Sequence, residues 1–363
     1  MNALHRLACN IQRQLFPAWE AEVGVLSEKE QEFVRIVALS ELERFMGPYR
    51  WQWVGRKPED RLPLAKAFTA KAVWNFPTSR ALLDYLAHCP SLRRLCGWDS
   101  AGEIPSEATF SRAFAAFAVG ELPQRVHAAM VRKQLGPKLM GHVSRDSTAI
   151  TGRERPAPKE PQAPAVPKKR GRPCKDEPAR VKEPTRLMLQ AGRSLGENLA
   201  DLPYRCAVGC KRNSQGYQET WIGYKLHLDC VDGDIPVSAI LTSASLHDSQ
   251  VAIPLSQMTR ERITNLYDLM DAAYDAEPID AFSRSLGHVP LIDPNPRSAA
   301  KREMDPAAKR RFGERSTVER ANSNLLENFG GVFVRVRGAV KVMCHLMFGV
   351  LALTAVQLFH LLE

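Results

Sequence analysis

The stretch Trp221-Ile-Gly-Tyr-Lys-Leu-His-Leu-Asp-Cys-Val231, then Asp232-Gly233-Asp234, then Ile235-Pro-Val-Ser-Ala-Ile-Leu-Thr242 decides the fold class. Its β-branched and aromatic residues flank an Asp-Gly-Asp turn, which predicts a β-hairpin. Working outward, Gly141 to Arg145 reads as an earlier strand, Asn265 to Met270 as a fourth and Val289 to Asp293 as a fifth. Helices are expected between them, at about Ser249 to Glu261, Pro278 to Ser285 and Pro306 to Asn328. Strands alternating with helices predict an α/β mixed sheet flanked by helices from about residue 138 to 363.

The first 137 residues read differently. Apolar residues recur there at spacings of three and four between capping signals, so this part is expected to be all-α. Ser27-Glu28-Lys29-Glu30 is a capping-box pattern opening a helix to about Phe45. A second helix covers roughly Leu62 to Trp74, and Thr78 or Ser79 caps a third that Pro90 stops. Ser91 to Trp98 and Ser106 to Phe114 flank a glycine turn; Phe110, Phe114 and Phe117 share a face that leaves Thr109 and Arg112 on another. The pattern suits a DNA-binding helix-turn-helix presenting Arg112, and equally a bundle with an aromatic core.

Fifty Lys and Arg against forty Asp and Glu give the 363-residue chain a net charge of +10, which favours a polyanionic partner. Hydrophobic residues at 44% and charged residues at 25% are the ordinary globular mixture. From Arg153 to Arg186, however, 8 of 34 residues are proline, and 11 Lys or Arg face 5 acids. That composition predicts that this segment buries no core and belongs to a flexible insert at about 152–203. Within it, Lys168-Lys-Arg-Gly-Arg-Pro-Cys-Lys175 resembles an AT-hook, with Lys169, Arg170 and Arg172 as candidate DNA contacts. A solvated basic linker is the plainer reading.

Ala339 to Leu362 is apolar, but Lys341, His345, Gln357 and His360 interrupt it. The clean run falls short of the roughly 20 residues a bilayer core requires, so a buried helix is expected and no membrane association. The scattered cysteines and the lack of a signal peptide at Met1 predict free thiols in a reducing cytoplasm. Cys206, Cys210, His227 and Cys230 invite a zinc reading, yet the three-residue spacing between the first two is uncommon for a knuckle.

Three acids stand at informative places: Asp146 at the end of the first strand, Asp271 at the end of the fourth and Glu319 inside the long helix. Ligands of α/β sheets gather beyond the carboxyl ends of strands, and convergent carboxylates need cations to offset their repulsion. Glu314 reads as a solvated charge, Asp275 as serving the turn after its strand, and Asp248 as a cap of the next helix. Lys225 and His227 share one face of a strand and are candidate DNA contacts. So are Arg335 and Arg337, at alternate positions of Gly330 to Gly338.

The text around these acids is specific. Ser144-Arg-Asp-Ser-Thr-Ala-Ile150, Tyr224-Lys-Leu-His227, Leu241-Thr-Ser-Ala-Ser-Leu-His-Asp-Ser249, Leu269-Met-Asp-Ala-Ala-Tyr-Asp275 and Arg315-Ser-Thr-Val-Glu-Arg320 occur in this order. Together they resemble the DDE transposases of bacterial insertion sequences whose catalytic domain is ribonuclease-H-like. The resemblance covers roughly Lys138 to the C-terminus apart from the insert. It implies that Asp146, Asp271 and Glu319 hold two Mg²⁺ ions, with Mn²⁺ as a substitute, and that Arg315 clamps a phosphate oxygen. It further implies terminal inverted repeats and target DNA as partners, a homodimer on DNA, and work at the bacterial nucleoid. Phe312 stands where such proteins usually have tyrosine, as a stacking DNA contact, and Leu326 where they have lysine. The rivals are a catalytically silent DNA-binding regulator and a nuclease without strand transfer.

Overall fold

The computed structural model describes residues 3–46, 59–158, 184–212, 215–295 and 304–362. The Arg-Gly-Arg stretch with Lys169, Arg170 and Arg172, and Cys174 beside it, lie outside the described residues. Eight helices come first: α1 (Ala3–Asn10), α2 (Phe16–Val23), α3 (Glu28–Ser40), α4 (Arg61–Val73), α5 (Ser79–His88), α6 (Pro90–Cys96), α7 (Glu107–Val119) and α8 (Leu122–Leu135). The expected capping box opens α3: Ser27 Oγ accepts from the Glu30 amide, and the Ser27 amide donates to Glu30 Oε2 at 2.9 Å. The helix stops at Ser40, short of Phe45, because Glu41 takes a left-handed conformation and a 3-10 turn follows. α5 stops at His88, as Pro90 predicts, because Cys89 before the proline is extended; Pro90 itself stands at the first position of α6, where its missing N–H costs no bond.

Beyond α8 lie β1 (Leu139–Thr151), α9 (Arg186–Gln190), α10 (Leu195–Asp201), β2 (Ala207–Arg212), β3 (Gln218–Val231) and β4 (Ile235–Ser243). Then come α11 (Ser249–Arg260), β5 (Thr264–Met270), α12 (Glu277–Ser285), β6 (Val289–Ile292), α13 (Pro306–Phe312), α14 (Ser316–Asn328) and α15 (Ala339–His360). The hairpin forms as its sequence predicts, with Val231 opposite Ile235 and positive φ at Gly233 and Asp234.

The sheet runs β2-β3-β1-β5-β6, and β4 joins the same edge of β3 as β2. β1 pairs antiparallel with β3 and parallel with β5, and β5 pairs parallel with β6. This mixed sheet flanked by helices, behind a helical N-terminal region, is a ribonuclease-H-like arrangement.

Three further expectations need correction. The insert expected to be flexible to about residue 203 is folded from Arg186 onward: α9 and α10 pack on α11, and Leu202 is buried with Val251 and Leu255. β1 does not end at Asp146 but continues five residues to Thr151, because β3 stays paired with it from Ser147 opposite His227 to Thr151 opposite Gly223. Nor is 306–328 one helix: a 3-10 turn at Gly313–Arg315 separates α13 from α14. Glycine is a poor helix former, and the Glu314 carbonyl accepts a bond from Ser144 Oγ on β1 at 3.2 Å.

One hydrophobic core spans both parts of the chain. The apolar α15 is mostly buried against α3, α4, α7, α8 and β4, which explains its composition without a bilayer. On α7, Phe110, Phe114 and Phe117 face inward around Phe68, with ring centroids 5.0–6.2 Å from it, as an aromatic bundle core requires. Arg112 is left exposed on the opposite side, where it donates to Thr109 Oγ1 at 3.2 Å.

α14 is held closely to this core. A Cβ added at Gly349 of α15 would lie 2.5 Å from the Phe329 carbonyl oxygen and 2.9 Å from Leu325 Cδ1. Gly349→Ala is therefore expected to destabilise the protein by about 1–3 kcal/mol through overpacking. Chemical denaturation measures this, and an unchanged midpoint would show that the two elements can part freely.

Candidate active site

The parallel pairing of β1 with β5 sets the first two acids side by side. Arg145 is opposite Met270, β5 ends there, and Asp146 and Asp271 follow on adjacent strands. Asp271 Oδ1 accepts from the Ala273 amide at 3.0 Å, which turns the chain away from the sheet. Burial pushes the Asp146 carboxyl up to about 6; the Ser147 amide opposes the rise and the charge of Asp271 adds to it. Asp271 is also raised, chiefly by burial, with the Ala273 amide and Arg315 pulling it back down. Both carboxylates therefore carry charge at a cost and feel the Arg315 guanidinium.

α14 lies across β1 and β3 with Val318, Ala321 and Leu325 inward. Arg320 fastens it to the hairpin turn by a forked pair with Asp234, at 2.7 and 2.9 Å. Arg315 forms an ion pair with Glu319 one turn along the same helix, as their spacing predicts. The Glu319 side chain is 52% exposed. Among the described residues, no three His, Cys, Asp or Glu side chains gather closely enough to hold a metal ion. Two of the three expected ligands thus meet, and the third reaches them only through Arg315.

Other site expectations fare unequally. His227 is 0% exposed, with Nε2 2.9 Å from Thr242 Oγ1, so it cannot touch DNA; burial lowers its pKa to about 4 and keeps it neutral. Lys225 is mostly buried and donates to Asp248 Oδ1 and the Leu246 carbonyl, each at 2.9 Å, so it too is engaged inside the fold. Asp248 occupies the position before α11 but makes no capping bond, because Lys225 claims its carboxylate. Arg335 and Arg337 are exposed, yet they border different hollows, with Arg153 common to both. Phe312 is half-buried, 5.8 Å from the Arg315 guanidinium carbon. The Glu314 side chain is exposed, as expected; the Asp275 carboxylate does not serve the turn after β5, which Asp271 holds, but accepts from the Asn295 amide beyond β6 at 2.9 Å. Cys206, Cys210 and Cys230 are free thiols.

Three participants escaped the sequence reading. Asn322 is buried, and its Nδ2 donates to Asp146 Oδ2 at 3.4 Å while its Oδ1 has no partner. It stands three residues after Glu319 and seven after Arg315, a helical spacing that could have revealed it. Asp248 adds negative charge to both aspartates, and the buried Tyr274, whose hydroxyl lacks a partner, feels Asp248, Asp146 and Asp271 together. Hard oxygen donors, desolvated and under-compensated, with an idle amide oxygen beside them, suit a divalent cation.

Comparison with known families agrees with this geometry. Residues 24–116 match the model of a transposase domain of otherwise undefined function, and residues 209–355 match the transposase DDE domain. The chain carries the domains of an insertion-sequence DDE transposase. The DDE match carries Asp271, Arg315 and Glu319, whereas Asp146 precedes it on the other side of the insert. No curated protein and no solved structure matches the chain. DDE transposases act on DNA and generally use divalent metal ions.

Proposed function

We propose that this transposase binds the terminal inverted repeats of its element, cuts DNA strands in a Mg²⁺-dependent step and joins the freed 3′ ends to target DNA. The observation that carries the reading is the meeting of Asp146 and Asp271 at adjacent strand positions, desolvated and facing Arg315. Asp146, Asp271 and Glu319 would hold the metal, with Asn322 orienting Asp146. When bound, the metal supplies Lewis-acid stabilisation of the phosphoryl oxygens and a more acidic water. The chain's own residues then bind and align. Arg315 offers a planar, permanently charged fork to a non-bridging phosphate oxygen, and Phe312 offers a ring to a base.

Water is the first nucleophile, and a DNA 3′-hydroxyl the second. Water attack breaks the P–O3′ bond and leaves a 5′-phosphate and a 3′-hydroxyl; attack by that 3′-hydroxyl forms one phosphodiester and breaks another in the target, releasing a target 3′-hydroxyl, so strand joining conserves bond energy and needs no nucleotide triphosphate. Two element ends require two sites, and a homodimer on DNA supplies them. The cytoplasm, where chromosomal DNA is reached directly, is the expected place of work.

The test is purified protein, Mg²⁺ and a labelled duplex carrying the flanking inverted repeat. Joined products are expected. Cut but unjoined strands would support the plain nuclease instead, and bound, uncut DNA the silent regulator.

A further inference from the structure

A hollow of about 380 Å³ lies between the helical region and the segment after α14, away from the acids. Its floor includes Lys71 of α4, which is 8% exposed. Among the described residues no carboxylate pairs with this ammonium, and burial pulls its pKa down to about 8. The nearby His345 offers no compensation: burial and the Lys71 charge hold its imidazole neutral, and its Nε2 is 2.9 Å from the Gly330 carbonyl. Arg335, Arg153 and Arg80 border the same space, and Glu107, the one acid among its described lining residues, is paired with Arg80 at 3.2 Å.

The first turn of α5, a ten-residue helix, forms part of the wall and adds the positive end of its dipole. Phe114 and Phe333 supply aromatic surface. A buried cation normally carries a partner, and a fold that keeps one without a partner pays in stability. Here the missing partner is an anion, and the aromatic walls call for a flat, apolar group attached to it. The volume falls within the roughly 300–1,000 Å³ of small-ligand sites.

We infer that this hollow binds one nucleotide unit, its phosphate against Lys71 and Arg335 and its base against the phenyl rings. The inference rests on the reading of the chain as a DNA-acting protein but not on the assignment of its metal ligands. The nucleotide comes either from a DNA strand or from free solution, and the chemistry recognised is the same.

Thermal unfolding of the full chain tests this with three probes: deoxyadenosine monophosphate, inorganic phosphate and a 5′-phosphorylated trinucleotide. The wild type is expected to show a saturable rise in Tm, with the mononucleotide or trinucleotide binding at least about tenfold more tightly than phosphate, as stacking would add. A rise with the trinucleotide alone identifies a strand nucleotide as the occupant; a rise with the monophosphate identifies a site open to free nucleotides as well. Lys71→Met keeps the stem, and is expected to abolish the rise while leaving the unliganded Tm equal or higher. Arg335→Ala, at an exposed position, is expected to weaken binding about tenfold and guards against misfolding of the first variant. A nucleotide response that survives in both variants overturns the inference, as does equal affinity for phosphate and nucleotide. Because the readout is stability rather than cutting, failure here leaves the strand-cleavage reading intact.

Discussion

Asp146→Asn is expected to lower Mg²⁺-dependent strand cleavage by at least about 10³-fold while leaving binding to the inverted repeat largely intact. A single preorganised electrostatic group is worth about 10²–10³ in rate, and a residue that also holds the metal should cost no less. Isosteric asparagine keeps the volume at a site where Asn322 Nδ2 lies 3.4 Å from the carboxylate. The same substitution carries a second signature. The Asp146 carboxyl titrates at about 6 in the fold against an ordinary 3.8, so the fold favours its neutral form. Its contribution is fully favourable below about pH 3.8 and is lost as pH rises through about 6. Denaturation from pH 3.5 to 7 should therefore show a smaller decline in the variant than in the wild type. Parallel curves would mean that the carboxylate is not desolvated, and retained cleavage would remove Asp146 from the ligand set.

The largest stability effect is expected one residue earlier. Arg145 and Asp229 form a forked pair, with both bonds at 2.8 Å, inside the sheet between β1 and β3. Thr259 of α11 also donates to Asp229, at 2.6 Å. Asp229→Ala leaves a buried guanidinium whose remaining partner is the weak acceptor Met270 sulfur at 3.4 Å. Breaking such a pair costs about 3–5 kcal/mol, because one charge stays buried alone. The double variant Arg145→Met/Asp229→Leu should recover much of that loss, since it removes both charges. If the double variant is no more stable than Asp229→Ala, the damage comes from packing rather than from the stranded cation. Strand β1 carries Asp146 directly beside this pair, so the site's placement depends on it.

Much of the architecture was legible where local chemistry decides local structure. The Asp-Gly-Asp turn and the Ser27 capping box each fix a conformation through contacts only a few residues long, and the spacing of Phe110, Phe114 and Phe117 sets which face of α7 turns inward. What escaped was set by partners distant in the chain. β1 outruns Asp146 because β3 holds it, a pairing about 80 residues away that no local pattern announces. His227 looked available on its strand, yet packing over β3 and β4 encloses it. Asp248 had every local feature of a cap, and only the position of Lys225 shows why its carboxylate serves elsewhere.

The site divides along the same line. Asp146 and Asp271 were placed by two strand-end expectations that the parallel β1–β5 register brings together. The Arg315–Glu319 contact followed from helical spacing and survives the break at Gly313, since both residues lie at or beyond the turn. Where Glu319 points was not in the spacing: in the fold its carboxylate is drawn to the arginine that also faces the two aspartates. For Glu319 to join the two aspartates on a metal ion, its carboxylate must leave Arg315 for the ion, and the proposed site depends on that exchange of partners.

Mn²⁺ titration followed by electron paramagnetic resonance measures that exchange most directly, on wild type and on Asp146→Asn, Asp271→Asn and Glu319→Gln. Saturable binding by the wild type, its loss in both aspartate variants and weakened binding in Glu319→Gln are expected. Wild-type affinity in all three variants would contradict the proposed site.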